Sequence, residues 1–219
     1  MQSQTKLPSS LDGRGALDVA QEAATAAGAI IATSILDMNW ESGRAQAGVS
    51  QKAEWNNLVT NVDKDAEATI LQVLLGAFPH HSVLAEESGT HVGTDQHQWV
   101  IDPLDGTRNF ANGLPHVAVN IGLVSQGKLL LGLTLDPVRN EMFVAINGGG
   151  CWLNNHPIST IDSGSLREAV VGTDMGYLNQ PGKNLLAMIH DLWPNIQSVR
   201  MMGSAALGLA YVACGRLSL

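Results

Sequence analysis

The chain has 219 residues, enough for one substantial core or two small domains sharing an interface. It is 45% hydrophobic and 15% charged, and a formal net charge of -8 argues against a nucleic-acid or anionic-membrane surface while suiting a divalent cation. Cys151 and Cys214 are too few and too far apart for a disulfide framework or a zinc knuckle, so a reducing cytoplasm is the expected setting.

Residues 1–14 read as a loose polar tail without the charged-then-apolar pattern of a signal peptide. A helix is predicted over 15–38 from Leu17, Ala20, Ala24, Ala27, Ile31 and Ile35. The polar stretch 39–57 reads as a loop or hairpin. Asp63 is then expected to open an amphipathic helix that carries Ala66, Ile70, Val73, Leu74 and Ala77 and ends at Pro79. Strands follow at 82–86 and 98–102.

From 115 to 153 the pattern is a β-meander, with turns at Gln126-Gly127, at 137–140 and at Gly148-Gly149-Gly150. No apolar run is expected to span a membrane. The best candidate, AVNIGLVSQGKLLLGLTL, is broken by Ser125, Gln126, Gly127 and Lys128. After about 157 the order becomes strand, helix, strand, helix in EAVVGTD, NLLAMIHDLW, IQSVR and GSAALGLAYVACG. These elements predict an α+β or layered α/β/α chain without an internal repeat, dividing into halves at 15–155 and 156–219.

Three segments place acid residues just past an apolar run: Asp63, Glu86-Glu87, and Asp102 with Asp105. Singly, each reads as a helix cap or a solvated side chain. The stretch WVIDPLDGTRNF is more specific, because Pro103 is expected to turn the chain and keep both aspartates near one point. Gly106 permits close backbone approach, and the N–H groups of Gly106 and Thr107 would form a phosphate cradle at a helix start. Hard oxygen ligands beside an anion cradle favour Mg²⁺. Leu104 breaks the alternation of an EF-hand loop. Pro103 occupies the position of the nucleophile in a D-x-D-G-T phosphatase motif, which removes that chemistry.

The stretch DPLDGTRNF, with AEES and NLVTNVD upstream, resembles the inositol monophosphatase family of Mg²⁺-dependent phosphatases. The resemblance runs from about residue 15 to the last residue and implies a layered α-β-α-β-α sandwich of the sugar-phosphatase type. It implies that Glu86, Asp102 and the carbonyl of Leu104 hold a first Mg²⁺, that Asp102 and Asp105 share a second, and that Asp63 reaches a third through water. Thr107, bonded toward Asp63, would help Glu86 orient and deprotonate the attacking water. Asp105, Gly106 and Thr107 would bind the substrate's phosphate end, with Gly203, Ser204 and Ala205 against a polyol. Lys52 matches a lysine that often faces the site. A homodimer is the implied assembly.

The family's pattern continues past this last helix into a W-D-x-A-A-G segment whose aspartate completes the second metal site. The sequence stops at GRLSL, so C-terminal strands, that carboxylate and a cover for Leu207, Leu209, Tyr211 and Val212 are expected to be absent. The leading expectation is Mg²⁺-dependent hydrolysis of inositol 1-phosphate. Alternatives are histidinol phosphate, fructose bisphosphate or 3′-phosphoadenosine nucleotides as substrate, or a catalytically impaired one-metal scaffold. His80-His81, His91 and His97 lack metal spacing on one element. Ser204 lies outside a G-x-S-x-G elbow, and the glycine run is a turn and not a P-loop.

Overall fold

A computed structural model of the chain describes residues 6–38, 50–51, 58–162, 164–176 and 178–219. Helix α1 (Ala16–Leu36) buries Val19, Ala23, Ala27 and Ile31 as one stripe. At Gly28 a β-carbon would lie 2.7 Å from the Leu135 side chain, so the small residues let this helix ride close on the sheet. By length and composition its 21 residues are apolar enough to cross a membrane, contrary to the sequence expectation. The fold instead spends that apolar character on core packing against the second helix and the sheet.

Short strands β1 (Ser50–Gln51) and β2 (Leu58–Val59) pair antiparallel. The rest of the stretch expected to be a loop or hairpin, Lys52 included, lies outside the described residues. Helix α2 (Asn61–Ala77) starts two residues before Asp63. Thr60 is its N-cap: the Thr60 hydroxyl accepts the Asp63 N–H at 3.3 Å, and the Asp63 carboxylate accepts the Thr60 N–H at 2.8 Å. This reciprocal capping box makes Asp63 the third residue of the helix and not its opening.

Eight strands form the main sheet: β3 (Ser82–Ala85), β4 (Gly89–His91), β5 (His97–Asp105), β6 (Ala118–Ser125), β7 (Lys128–Asp136), β8 (Glu141–Ile146), β9 (Gly150–Leu153) and β10 (His156–Pro157). Their spatial order is β10-β9-β8-β7-β6-β5-β3-β4. Within this sheet, among the described residues, only β3 and β5 pair in parallel, which brings the residues following Ala85 and Ile101 to one end of the sheet. Strand β5 continues through Pro103, where a turn was expected. Its register with β6 shifts between Asp102 and Asp105, and this irregularity accommodates a residue that has no N–H to give the ladder.

After β5 a short helix, α3 (Thr107–Ala111), leads into the meander. The later elements are β11 (Val170–Thr173), α4 (Asn179–Leu192), β12 (Ser198–Met201) and α5 (Ala205–Ala213). Strands β11 and β12 form a separate parallel pair in which Thr173 faces Met201. Helix α5 packs on the sheet face opposite α1, with Leu207 and Tyr211 buried beside Ala118 and Phe143. Those two residues are therefore covered, whereas Leu209 is 74% exposed. Arg216 forms a bidentate pair with Glu141 at 2.5 and 2.6 Å and sits 4.9 Å over the Tyr211 ring, tying the end of α5 to β8. The outcome is the layered α/β arrangement that the element order predicted.

Candidate active site

Asp102 sits at the register shift in β5, half-buried. Its Oδ1 accepts the Leu104 N–H at 3.1 Å, and its Oδ2 lies 3.5 Å from the Asn120 amide nitrogen. Thr134 orients that amide by donating to Asn120 Oδ1 at 2.9 Å. Burial pushes the Asp102 carboxyl up to about 8, helped by the negative charges of Glu86 and Asp105 and by a hydrogen bond with Glu86. Three acids at one sheet end repel one another unless protonated or neutralised by a cation. That donor set fits a hard divalent metal, and Glu86, Asp102 and Asp105 are the residues that would hold it.

Asp63 is 1% exposed and reaches the same region from α2. Its Oδ1 accepts the Thr107 hydroxyl at 3.1 Å, and its Oδ2 accepts the Thr60 hydroxyl at 2.5 Å. Burial raises its pKa, against the opposing effect of these hydrogen bonds. The Thr107 Oγ1 also lies 3.1 Å from the Leu104 carbonyl oxygen, so one hydroxyl links α2, β5 and α3.

The remaining candidate residues arrive from the far end of the sequence. Ser204 donates to Asp105 Oδ2 at 2.5 Å, and the Ala206 N–H donates to the same oxygen at 2.9 Å. Ser204 is 1% exposed, so its hydroxyl serves Asp105 and the α5 N-cap. Asn109 clamps the two segments together, donating to the carbonyls of His116 at 2.8 Å and Met202 at 2.7 Å. Gly203, at φ 76°, leaves no room there: a β-carbon would lie 2.8 Å from Asn109 Oδ1. The structure thus gathers Asp63, Asp102, Leu104, Asp105, Gly106, Thr107, Gly203, Ser204 and Ala205, with Glu86 at the adjacent strand end.

Two residues escaped the sequence reading. Glu67 is 3% exposed on α2, and its two oxygens accept the N–H groups of Glu87 at 2.7 Å and Ser88 at 2.8 Å. The available signal was its position one turn after Asp63, on the same helix face. Asp174 follows β11 as Asp102 follows an apolar run in β5, and accepts the Gly203 N–H at 2.7 Å. The same strand-end rule would have found it.

At the opposite end of β3 and β5 the structure gathers His81, Asp95 and His97, whose potential ligand atoms lie within 4.8 Å of one another. Sequence spacing gave no hint of this group. The His81 and His97 rings stack at 4.8 Å with planes 26° apart, and His97 Nδ1 lies 2.6 Å from Asp95 Oδ1. Burial first, then His97, pushes His81 down to about 4.

Comparison with known proteins agrees with this geometry. The profile of the inositol monophosphatase family matches residues 15–219. The Nus factor SuhB of Salmonella typhimurium is 42% identical over 203 residues, 92% of this chain and 73% of that protein. The SuhB extragenic suppressor structure from Bartonella henselae aligns with a TM-score of 0.83 at 33% identity, covering 92% of this chain and 75% of that one. An inositol monophosphatase structure from Anabaena gives a TM-score of 0.76 at 36% identity, covering 92% and 71%. The strand-end acids and the Asp63–Thr107 link thus stand in a chain that belongs to the inositol monophosphatase family, a family of phosphatases.

Proposed function

We propose that the protein hydrolyses a phosphate monoester on inositol or a similar polyol, using Mg²⁺. The observation that carries this reading is the gathering of Glu86, Asp102 and Asp105 at one end of the β3–β5 pair, where burial and the neighbouring negative charges raise the Asp102 carboxyl and favour a cation. Glu86, Asp102 and the Leu104 carbonyl would hold a first ion, Asp102 and Asp105 a second, and Asp63 a third through water. When bound, such ions make a water nucleophilic near neutral pH and offset negative charge on the phosphate and leaving oxygen. Thr107, held by Asp63, positions the attacking water with Glu86, which takes its proton. The N–H groups of Gly106 and Thr107 orient the phosphate, and the 203–205 segment borders the alcohol. Phosphoryl transfer asks the protein mainly for such positioning.

The acidic charge and sparse cysteines support a cytoplasmic setting, and a homodimer follows from the family resemblance. Nucleic acid and membrane are not among the proposed partners. The test is inorganic phosphate release from inositol 1-phosphate, histidinol phosphate, fructose bisphosphate and 3′-phosphoadenosine nucleotides, with and without EDTA. Turnover on inositol 1-phosphate that EDTA abolishes is expected; metal-independent turnover on every substrate would end the reading. The relatives named as a Nus factor favour a second reading, a one-metal scaffold. Titration calorimetry showing one Mg²⁺ bound, with no turnover, would select it.

A further inference from the structure

A cleft of about 330 Å³ opens beside Asp105, bordered by Gly106, Arg108, Asn109, Asp174 and Gly203. Asp174 enters it from the end of β11. Because Thr173 pairs with Met201, the loops that follow β11 and β12 leave their strands at the same level. This juxtaposition lets the Gly203 N–H reach Asp174 Oδ1 at 2.7 Å. The amide itself is fixed by the close packing of Gly203 on Asn109, where even a β-carbon would collide.

Asp174 is therefore a carboxylate with one oxygen pinned to rigid backbone. Its other oxygen makes no hydrogen bond to another described residue. The second carboxylate of the cleft, Asp105, also has one oxygen occupied, by Ser204 and the Ala206 N–H. Asp174 thus retains one acceptor oxygen in the space next to the phosphate end, whereas the remaining oxygen of Asp105 is the one that would hold the second ion. Ionised carboxylates only accept hydrogen bonds, so this wall suits hydroxyl donors on neighbouring carbons and repels further anionic groups.

We propose that Asp174 is a specificity-determining residue whose free oxygen accepts hydroxyl hydrogens of a polyol monophosphate and disfavours a second phosphate at that position. The proposal rests on the phosphatase reading above and assigns the selectivity of that site to a residue outside its metal and phosphate ligands.

The experiment compares the full chain with its Asp174→Asn variant on inositol 1-phosphate, p-nitrophenyl phosphate and fructose 1,6-bisphosphate, with Mg²⁺ present. An asparagine can keep its oxygen on the Gly203 N–H while placing a donor where the free acceptor stood. The ratio of kcat/KM for inositol 1-phosphate to that for p-nitrophenyl phosphate should fall about 10- to 100-fold, mostly through KM. The ratio for the bisphosphate to inositol 1-phosphate should rise. Equal losses on all three substrates would mark Asp174 as a structural brace and overturn the proposal, as would unchanged ratios. Thermal shifts with inositol 1-phosphate and with inorganic phosphate separate this idea from the phosphatase reading. If the wild type turns over nothing, yet prefers inositol 1-phosphate over phosphate and loses that preference in the variant, the phosphatase reading falls and the role of Asp174 stands. No turnover and no preference would overturn both.

Discussion

Glu67 holds the backbone of Glu87: its Oε2 accepts the Glu87 N–H at 2.7 Å while its Oε1 accepts that of Ser88 at 2.8 Å. Both oxygens of a buried helix side chain are thus committed to the loop that follows Glu86. Glu67→Gln turns one acceptor into a donor facing an N–H, which should cost about 1–3 kcal/mol. Phosphate release should fall about 10- to 100-fold because Glu86 loses its fixed loop, without any change to a direct ligand. Thermal melts and turnover measured together check this; wild-type values for both would show that the loop is held by other means.

Asp102 makes the metal-free protein sensitive to pH. Its folded pKa, about 8, lies above the ordinary 3.8, so the fold favours the protonated form. The stability associated with that proton is complete below the ordinary value and is lost progressively as pH rises toward about 8. In EDTA, the melting temperature should therefore decline across this window more steeply for the wild type than for Asp102→Asn. Saturating Mg²⁺ should stabilise the wild type most at the alkaline end, where the carboxylate is ionised. Matching slopes for wild type and variant in EDTA would remove Asp102 as the source.

Ser204→Ala deletes the 2.5 Å bond to Asp105 and the acceptor for the Leu207 N–H at 3.3 Å. Loss of an N-cap costs about 0.5–2 kcal/mol. A larger consequence is expected in kcat, since among the described residues Asp105 then keeps only the Ala206 N–H to fix its orientation. The urea midpoint and kcat distinguish the two effects: a drop in stability with kcat preserved would deny Ser204 any positioning role.

Gly203→Ala should destabilise by about 1–3 kcal/mol, because it combines a positive φ with a 2.8 Å approach to Asn109. Truncating Asn109 to alanine removes the colliding atoms. The double variant should then be more stable than the sum of the two single losses implies, the non-additivity expected of residues in contact. Additive losses in denaturant titrations would refute that packing account.

Much of the site was legible because one contiguous stretch carries Asp102, Leu104, Asp105, Gly106 and Thr107, and its chemistry is local. The capping pair Thr60–Asp63 is similarly local, though the helix starts earlier than the acid suggested. Glu67 and Asp174 bind backbone 20 and 29 residues away, and a side chain bonded to remote backbone leaves no periodic signature. Pro103 misled for a different reason. The rule that proline ends a strand gave way to a register shift that tolerates it. His81 and His97 meet only because β3 and β5 run parallel, which spacing along the chain does not encode.

The Asp105–Ser204 bond spans 99 residues, whereas the Asp63–Thr107 bond spans 44. On a ribosome the shorter linkage can close while the later strands are still unsynthesised, but Asp105 must wait for the 203–206 segment to emerge and dock. Closing so long a loop draws its entropy cost from the packing of α5 and the bidentate Arg216–Glu141 pair, both formed late. Phosphate turnover would then have to wait for the 203–206 segment to dock, after the Asp63–Thr107 link has closed. It would also be among the first properties lost when α5 lifts from the sheet, well before the α1–α2 layer melts.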